Sequence, residues 1–237
     1  MMSNIIRVAI LENHQGIIDG YQFRLGTSPD IQIVSTATYG EALEPMLAEF
    51  PADVLLLDVH VPTSSDNLNP YPILYLIPRL LETYPNLVIL VITMHNQRKL
   101  IEAVMAAGAS GYVLKDDQAT IRDLASVIRA IAGGGIHLSQ SAFQQLTKGR
   151  DNNENQTLSP RQMEVLSLCA AYPDASTTEL ATKLFISNST VRNLLSDAYL
   201  KLNVRSRSAA IAKAHQVGLL PPDVPTSSLT ELGGSET

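Results

Sequence analysis

The stretch DVLLLDVHVP, at residues 53–62, decides the fold. It contains a short continuous run of branched apolar residues that ends at an acid, Asp58. Such a run is typical of a strand in a parallel sheet, which is buried on both faces. Similar runs recur along the first half of the chain and alternate with amphipathic stretches of helical length, so we predict a doubly wound α/β domain with a five-stranded parallel sheet. The predicted strands are 5–11, 31–37, 53–59, 87–93 and 110–115, and the predicted helices are 16–25, 40–50, 73–84, 98–107 and 119–131.

The second half of the chain has a different organisation. Three consecutive glycines at 133–135 end the α/β pattern, so we expect the first domain to span residues 1–132. Residues 133–157 predict a linker with a short helix near 139–146, because the run KGRDNNENQT is wholly polar. Residues 158–220 show only helical periodicity and predict a separate four-helix domain. Residues 221–237 have too little apolar content for a core and predict a disordered tail.

Composition limits the classes of protein to consider. Hydrophobic residues make up 45% of the 237 residues, which is enough for buried cores. The single cysteine, Cys169, rules out a disulfide framework and a cysteine-rich metal site. We found no signal segment and no apolar run of about 20 residues, so we expect a cytoplasmic protein without a membrane span. The net charge is −6, yet residues 1–132 are acidic and residues 158–220 are basic, which indicates two tasks on one chain.

Polar side chains collect where the predicted strands end. Glu12 and Asn13 follow the first strand, Asp58 the third, Thr93 the fourth and Lys115 the fifth. Because the carboxyl ends of parallel strands meet at one edge of the sheet, we expect these side chains to lie together. One such residue alone would be an ordinary loop residue, whereas the set predicts a site.

Residues 5–131 resemble a response-regulator receiver domain, a flavodoxin-like fold. The resemblance implies that Asp58 is the phosphoacceptor, that Thr93 hydrogen-bonds the phosphoryl group and that Lys115 pairs with it. Tyr112 would be the aromatic residue whose rotamer reports the state of the site. A carboxylate attacks a phosphoryl group only when the charge between them is neutralised, and a lysine and a divalent cation can do this.

The same resemblance implies a site for magnesium or another divalent cation. Its ligands would be Glu12, Asn13, Asp58 and the backbone carbonyl of His60. Asn13 departs from the family, which usually has a second acid at this position. Because magnesium favours carboxylate oxygens, we expect weaker metal binding and slower phosphorylation.

A second departure lies in the segment after Asp58. Residues 63–72, TSSDNLNPYP, replace the short glycine-containing turn of the family and are longer. The segment predicts a gate or a partner contact beside the site, or else a tolerated surface insertion without a role.

Clear helix starts mark the C-terminal half. Ser159 with Gln162, and Ser176 with Glu179, have the spacing of capping boxes, and Ser187 and Ser206 open two further helices. The third of these four helices is amphipathic. Its apolar face consists of Val191, Leu195, Ala198 and Leu202. Its polar face consists of Ser189, Arg192, Asn193 and Ser196, residue types that bond phosphates and base edges but also occur on any solvated helix.

Residues 158–214 resemble the LuxR/NarL/FixJ-type helix-turn-helix domain. The matching positions are Leu158, Pro160, Arg161, Glu164, Val165, Leu166, Ala181, Ile186, Ser187, Thr190, Val191, Asn193, Leu202, Val204 and Ala210. The resemblance implies that the third helix enters the major groove of double-stranded DNA, with Arg192 and Asn193 as groove contacts. Its further DNA contacts would be Ser187, Ser189, Thr190, Ser196, Lys201, Arg205 and Arg207. Leu194 and Leu200 occupy positions that are usually polar or basic, and Asp197 places an acid on or near the DNA-facing helix. These departures predict modest affinity or help from dimerisation.

Three hypotheses follow. The first is a two-component response regulator, switched at Asp58 by a sensor histidine kinase or a small phosphodonor, that binds DNA as a conditional homodimer. The second is a DNA-binding protein whose receiver works without phosphorylation, through protein or ligand contacts. The third is a protein-binding signalling adaptor with a relict helix-turn-helix. We do not expect an enzyme, because the sequence has no glycine-rich phosphate loop and no nucleophile–base pair outside the Asp58 cluster.

Overall fold

The computed structural model describes residues 5–147, 158–204 and 206–221, with the side chains of Thr147, Ser189, Arg192 and Ser196 excepted. The predicted linker run 148–157 and tail residues 222–237 therefore lie outside the described residues. The N-terminal elements are β1 (Ile6–Leu11), α1 (Gln15–Leu25), β2 (Ile31–Ala37), a 3₁₀ turn (Gly40–Ala42), α2 (Leu43–Glu49), β3 (Val54–Leu57), α3 (Ile73–Thr83), β4 (Val88–Thr93), α4 (Arg98–Ala106), β5 (Gly111–Leu114), α5 (Gln118–Arg122), α6 (Leu124–Ala132), β6 (His137–Leu138) and α7 (Gln140–Thr147). The C-terminal helices are α8 (Pro160–Ala171), α9 (Thr177–Leu184), α10 (Asn188–Leu202) and α11 (Arg207–Gln216).

The sheet is parallel throughout, in the order β2-β1-β3-β4-β5-β6. The chain winds from β1 outward to β2 and then crosses to β3 on the other side. This reversal places a crevice at the carboxyl ends of β1 and β3, which is where open α/β sheets bind ligands. The predicted doubly wound α/β fold is confirmed.

Both faces of the sheet are covered by helices. Leu55 and Leu57 of β3 belong to the apolar core beneath α2, α3 and α4. Val54 and Leu56 belong to a second core beneath α1 and α6. Successive strand side chains point to opposite faces, so a strand with two buried faces needs an apolar residue at every position.

The sheet has one strand more than we predicted. His137 and Leu138 form β6, which pairs with β5. A two-residue edge strand after three glycines is too short to show any periodicity. The predicted helix over 119–131 is also divided, because Asp123 leaves the helical conformation at φ −102° and ψ 30°.

Within residues 158–204 and 206–221, the C-terminal domain consists of four helices, as predicted. Ser159 and Ser176 form capping boxes at the starts of α8 and α9. Phe185 and Asn203 end α9 and α10 in the left-handed conformation. The predicted apolar face of α10 is buried and consists of Val191, Leu195, Ala198 and Leu202.

The two domains pack on each other through α8, which lies against α3 and α4. Met163 and Leu166 of α8 belong to the same apolar core as Leu74 and Ile77 of α3. The helix-turn-helix domain is therefore docked on the receiver-like domain through its first helix.

Among the described residues, no helix combines the length and the apolar character that crossing a bilayer requires.

Candidate functional site

Lys115 joins the two acids at the carboxyl edge of the sheet. Its Nζ lies 2.5 Å from Glu12 Oε2 and 2.7 Å from Asp58 Oδ2. Thr93 is fully buried at the end of the neighbouring strand β4. Residues that are far apart in the sequence thus meet as the strand ends predict.

Backbone hydrogen bonds hold these residues in the register of the sheet. The Glu12 amide donates to Ala37 O over 3.0 Å, and the Asp58 amide donates to Leu11 O over 2.9 Å. The Lys115 amide donates to Thr93 O over 2.8 Å. The ladder therefore continues past the ends of the strands and fixes where each functional side chain begins.

Both acids are buried and satisfied. Glu12 is 1% exposed and Asp58 is 4% exposed. Glu12 Oε1 accepts a hydrogen bond from the His14 amide at 3.0 Å, and Asp58 Oδ1 accepts one from the His60 amide at 3.2 Å. A buried carboxylate is costly unless it is paired and hydrogen-bonded, so Lys115 is essential to this arrangement.

His95 connects Thr93 with Tyr112. The Thr93 hydroxyl accepts from the His95 amide at 3.4 Å, and the Tyr112 hydroxyl donates to the His95 carbonyl at 2.7 Å. Tyr112 is fully buried, and this burial raises its pKa above the usual range. Burial and the nearby His60 lower the pKa of the His95 imidazole, which therefore stays neutral near pH 7. A movement of the Thr93 hydroxyl can therefore act on Tyr112 through a single residue, His95.

The predicted metal ligands lie close together, but the chain's own hydrogen-bond donors already engage several of their oxygen atoms. Asn13 was predicted as a ligand, but its amide is best oriented with the nitrogen toward three acceptors. With the amide turned this way, the nitrogen lies 3.3 Å from Glu12 Oε1, 3.2 Å from His60 O and 3.0 Å from His14 Nδ1. Lys115 occupies Glu12 Oε2 and Asp58 Oδ2. Across residues 5–147, 158–204 and 206–221, we found no group of three or more His, Cys, Asp or Glu side chains suited to a metal ion. The ligand oxygen atoms in this arrangement fit magnesium poorly, because hydrogen-bond donors already face them.

The start of α10 is an exposed polar surface. Ser187 caps the helix by accepting from the Thr190 amide at 3.1 Å. Asn188 donates to the hydroxyls of Thr177 and Thr178 at 2.9 Å, which ties α10 to the start of α9. Ser187, Thr190 and Asn193 are exposed, as a DNA-facing surface requires.

Two of the predicted DNA contacts are used inside the protein. Lys201 Nζ donates to Gln162 Oε1 at 3.1 Å. The Arg207 guanidinium donates to the carbonyls of Pro173 and Ala175. In this conformation both side chains stabilise the domain instead of facing outward. Arg205 and the side chains of Ser189, Arg192 and Ser196 lie outside the described residues.

The three unusual residues of α10 have different surroundings. Leu194 is half-buried against the helix-turn-helix core, so it is a packing residue. Asp197 is exposed and Leu200 is 77% exposed. An exposed leucine on this helix offers apolar area to a partner.

The insertion at 63–72 contacts the helix-turn-helix domain, an interaction that sequence reasoning left open. The Nδ2 atoms of Asn67 and Asn69 donate to Ala171 O at the end of α8, at 3.1 and 3.3 Å. On α3, next to the insertion, two further residues reach the same domain. The Tyr75 hydroxyl donates to Lys183 O, and the Arg79 guanidinium lies 5.5 Å from the centre of the Phe185 ring. Only the excess length of the segment signalled a role.

The insertion has a defined structure that begins four residues after Asp58. Pro62 and Pro70 form an antiparallel bridge, and the buried Thr63 hydroxyl donates to Asn69 O at 2.8 Å. The Tyr71 ring packs directly on Gly40, where a Cβ atom would lie 1.9 Å from the ring. The loop that carries the two asparagines is therefore braced against the receiver-like domain.

Two family models match this chain. The response regulator receiver domain matches residues 8–126, and the luxR family of bacterial regulatory proteins matches residues 156–214. The first match covers half of the chain, so the chain belongs to the response regulator family. It is a response regulator that carries a luxR-type DNA-binding domain at residues 156–214.

Curated relatives and solved structures extend over almost the whole chain. The transcriptional regulatory protein MctR of Rhizobium johnstonii is 26% identical, covering 91% of this chain and 95% of the relative. The oxygen regulatory protein NreC of Staphylococcus carnosus is 27% identical, covering 91% and 99%. Among solved structures, RcsB of Salmonella typhimurium has 28% identity and a TM-score of 0.61, covering 91% of this chain and 99% of RcsB. RcsB bound to the promoter rprA in the presence of the phosphomimetic BeF3− has 27% identity and a TM-score of 0.62, covering 89% and 98%.

Proposed function

We propose that this response regulator controls transcription by binding specific DNA sites and that phosphoryl transfer to Asp58 switches it. The observation that carries the proposal is the position of Lys115, between Glu12 and Asp58 at the switch point of the sheet. A cleft of about 740 Å³ opens beside Asp58, Thr93 and Lys115 and offers a phosphodonor a route to the carboxylate.

The chemistry uses residues already in contact. A carboxylate oxygen of Asp58 attacks the phosphorus of a phosphohistidine or an acyl phosphate. The new oxygen–phosphorus bond forms as the bond to the donor breaks, and the donor keeps the electron pair. Lys115 neutralises the charge of the transferred group. The product carries about −1.5 to −2 charge, which draws the Thr93 hydroxyl toward it and disturbs the His95 contact to Tyr112.

Receiver domains generally bind magnesium at the phosphorylation site. For this chain we propose that the metal contributes less than usual, since Asn13 and Lys115 already serve the oxygen atoms that would hold it. We also propose a regulator and not a metabolic enzyme, acting in the cytoplasm because its DNA target lies there.

Acetyl phosphate provides the test. The protein is incubated with acetyl phosphate, with and without magnesium, and intact mass is measured. We expect one added phosphoryl group in the parent and none in Asp58→Ala, whereas Asp53→Ala, a change at an exposed paired acid, labels like the parent. Equal labelling of the parent and Asp58→Ala would refute the proposal.

Asn13 favours a second candidate, a receiver that works without phosphorylation. In that case Lys115 and the Asn13 amide hold the acids permanently, and the domain acts through protein or ligand contacts. The same experiment separates the two candidates, because the second predicts no added mass in the parent at any magnesium concentration.

On the DNA side, we propose that α10 enters the major groove, with Arg192 and Asn193 reading bases and Ser187, Ser189, Thr190 and Ser196 near phosphates. A conditional homodimer would read two half-sites about one helical turn apart. A sensor histidine kinase or a small phosphodonor would supply the phosphoryl group.

A further inference from the structure

A cleft of about 300 Å³ lies between the two domains, away from Asp58. Its walls come from α3, α4 and α8 and from Leu219, which follows α11. Ligand sites of this size are commonly apolar and commonly lie at domain interfaces. We propose that this cleft binds a small apolar molecule that carries one carboxylate.

The walls supply the apolar part of the argument. Leu74 and Pro78 of α3 and Met163 of α8 line the cleft. At the C-terminal end of α4 the wall is made of the small residues Ala103 and Ala106 and of Ala107, which caps the helix; these side chains leave the space open. The neighbouring run KGRDNNENQT has no large apolar side chain that could fill an apolar cleft.

The charges at the rim select an anion. Glu102 pairs with Arg98 at 2.8 Å, and Glu164 pairs with Arg161 at 2.5 Å, so both acids are neutralised within their own helices. Among the residues that the structure describes, Lys99 has no ion pair, and it is exposed at the rim. A ligand carboxylate would therefore meet an uncompensated positive charge.

A molecule in this cleft touches both domains at once. It stabilises the docked arrangement, because a ligand shifts an equilibrium toward the state that it binds better. Any effect on transcription rests on the proposed function, whereas binding itself does not.

Calorimetric titration of the full chain with sodium octanoate, without DNA or phosphodonor, tests the proposal. We expect saturable binding that Ala103→Phe and Ala106→Phe each weaken at least about tenfold, with thermal unfolding as the check on folding. Lys99→Met should weaken octanoate about threefold and leave 1-octanol unchanged, as expected for one exposed ion pair. Lys213→Met, a lysine on α11 outside the cleft lining, is the matched control and should bind like the parent.

Three results would overturn the proposal. They are no saturable binding by the parent, unchanged binding in both phenylalanine variants, or unchanged octanoate binding in Lys99→Met. A chain truncated after Pro221 that binds octanoate at least about tenfold more tightly would overturn it as well, because the C-terminal tail would then be the occupant. Labelling of Asp58 by acetyl phosphate is measured separately, so a failure of the cleft proposal is distinguishable from a failure of the proposed function.

Discussion

Asn13 gives the site a neutral hydrogen-bond donor where the family usually has a second acid. With its amide turned to satisfy the surroundings, the Asn13 nitrogen faces Glu12 Oε1 and the His60 carbonyl. Lys115 faces Glu12 Oε2 and Asp58 Oδ2, and the His60 amide donates to Asp58 Oδ1. The Lys115 ammonium and the Asn13 amide thus stabilise the buried acids Glu12 and Asp58. The site is satisfied by the chain's own residues, which explains how Glu12 can be buried so completely.

Asn13→Asp should reverse this balance. The new carboxylate faces Glu12 and the His60 carbonyl, so we expect a loss of about 1–3 kcal/mol in the free energy of unfolding without metal. Added magnesium should restore most of that loss and speed labelling by acetyl phosphate. Urea unfolding with and without magnesium measures the loss of stability and its recovery, and intact mass at successive times measures the rate of labelling. Asn86→Asp, at an exposed loop position, is the control, and equal behaviour of the two variants would contradict the role given to Asn13.

Cys169 provides a pH test of the helix-turn-helix core. Burial raises the pKa of its thiol to about 11. The thiolate is the reactive form, so the native protein should react with iodoacetamide only slowly at pH 8 and much faster in urea. The unfolded thiol ionises first, so the free energy of unfolding should fall as pH rises toward 11. Equal native and denatured alkylation rates at pH 8 would show that Cys169 is accessible.

At the scale of elements, the sequence predicted the parts that follow from periodicity. Continuous apolar strands imply a covered parallel sheet, and the strand ends then bring Glu12, Asp58, Thr93 and Lys115 together. β6 was missed because two residues carry no period. The direction of the Asn13 amide was missed too, since it depends on which atoms meet in three dimensions.

The packing of α8 was equally invisible in the sequence. The apolar residues of α8 predict a buried helix but not whether its partner is its own domain or α3 of the other one. The amides of Asn67 and Asn69 look like ordinary loop residues until Ala171 O is placed beside them.

Removing both asparagines of the insertion should loosen the two domains. Asn67→Ala with Asn69→Ala deletes two hydrogen bonds to Ala171 O, each contributing about 0.5–1.5 kcal/mol. Small-angle scattering should then give a larger radius of gyration. Limited proteolysis should cleave the chain between the domains faster than in the parent. Asn86→Ala is the control. An unchanged radius of gyration would mean that α3 and α8 hold the domains without the insertion.

At the scale of the whole molecule, a short path runs from the acid site to the DNA-binding domain. Asp58 is followed by the buried residues Val59 and Val61 and then by the insertion. Within the insertion, the Asn67 side chain donates a hydrogen bond to Ala171 O at the end of α8. The exposed start of α10 is not covered by this docking, since Ser187, Thr190 and Asn193 face solvent. We infer that docking acts on the placement of the helix-turn-helix domain and not by masking its described polar surface.

One titration tests the central claim most directly. A fluorescent duplex, selected from a random library with the acetyl phosphate-treated protein, is titrated with treated and untreated protein at fixed salt, since affinity for DNA depends on salt. We predict that treatment raises the affinity of the parent at least about fivefold and leaves Asp58→Ala unchanged. An unchanged affinity in the parent, or an equal rise in Asp58→Ala, would contradict a switch at Asp58.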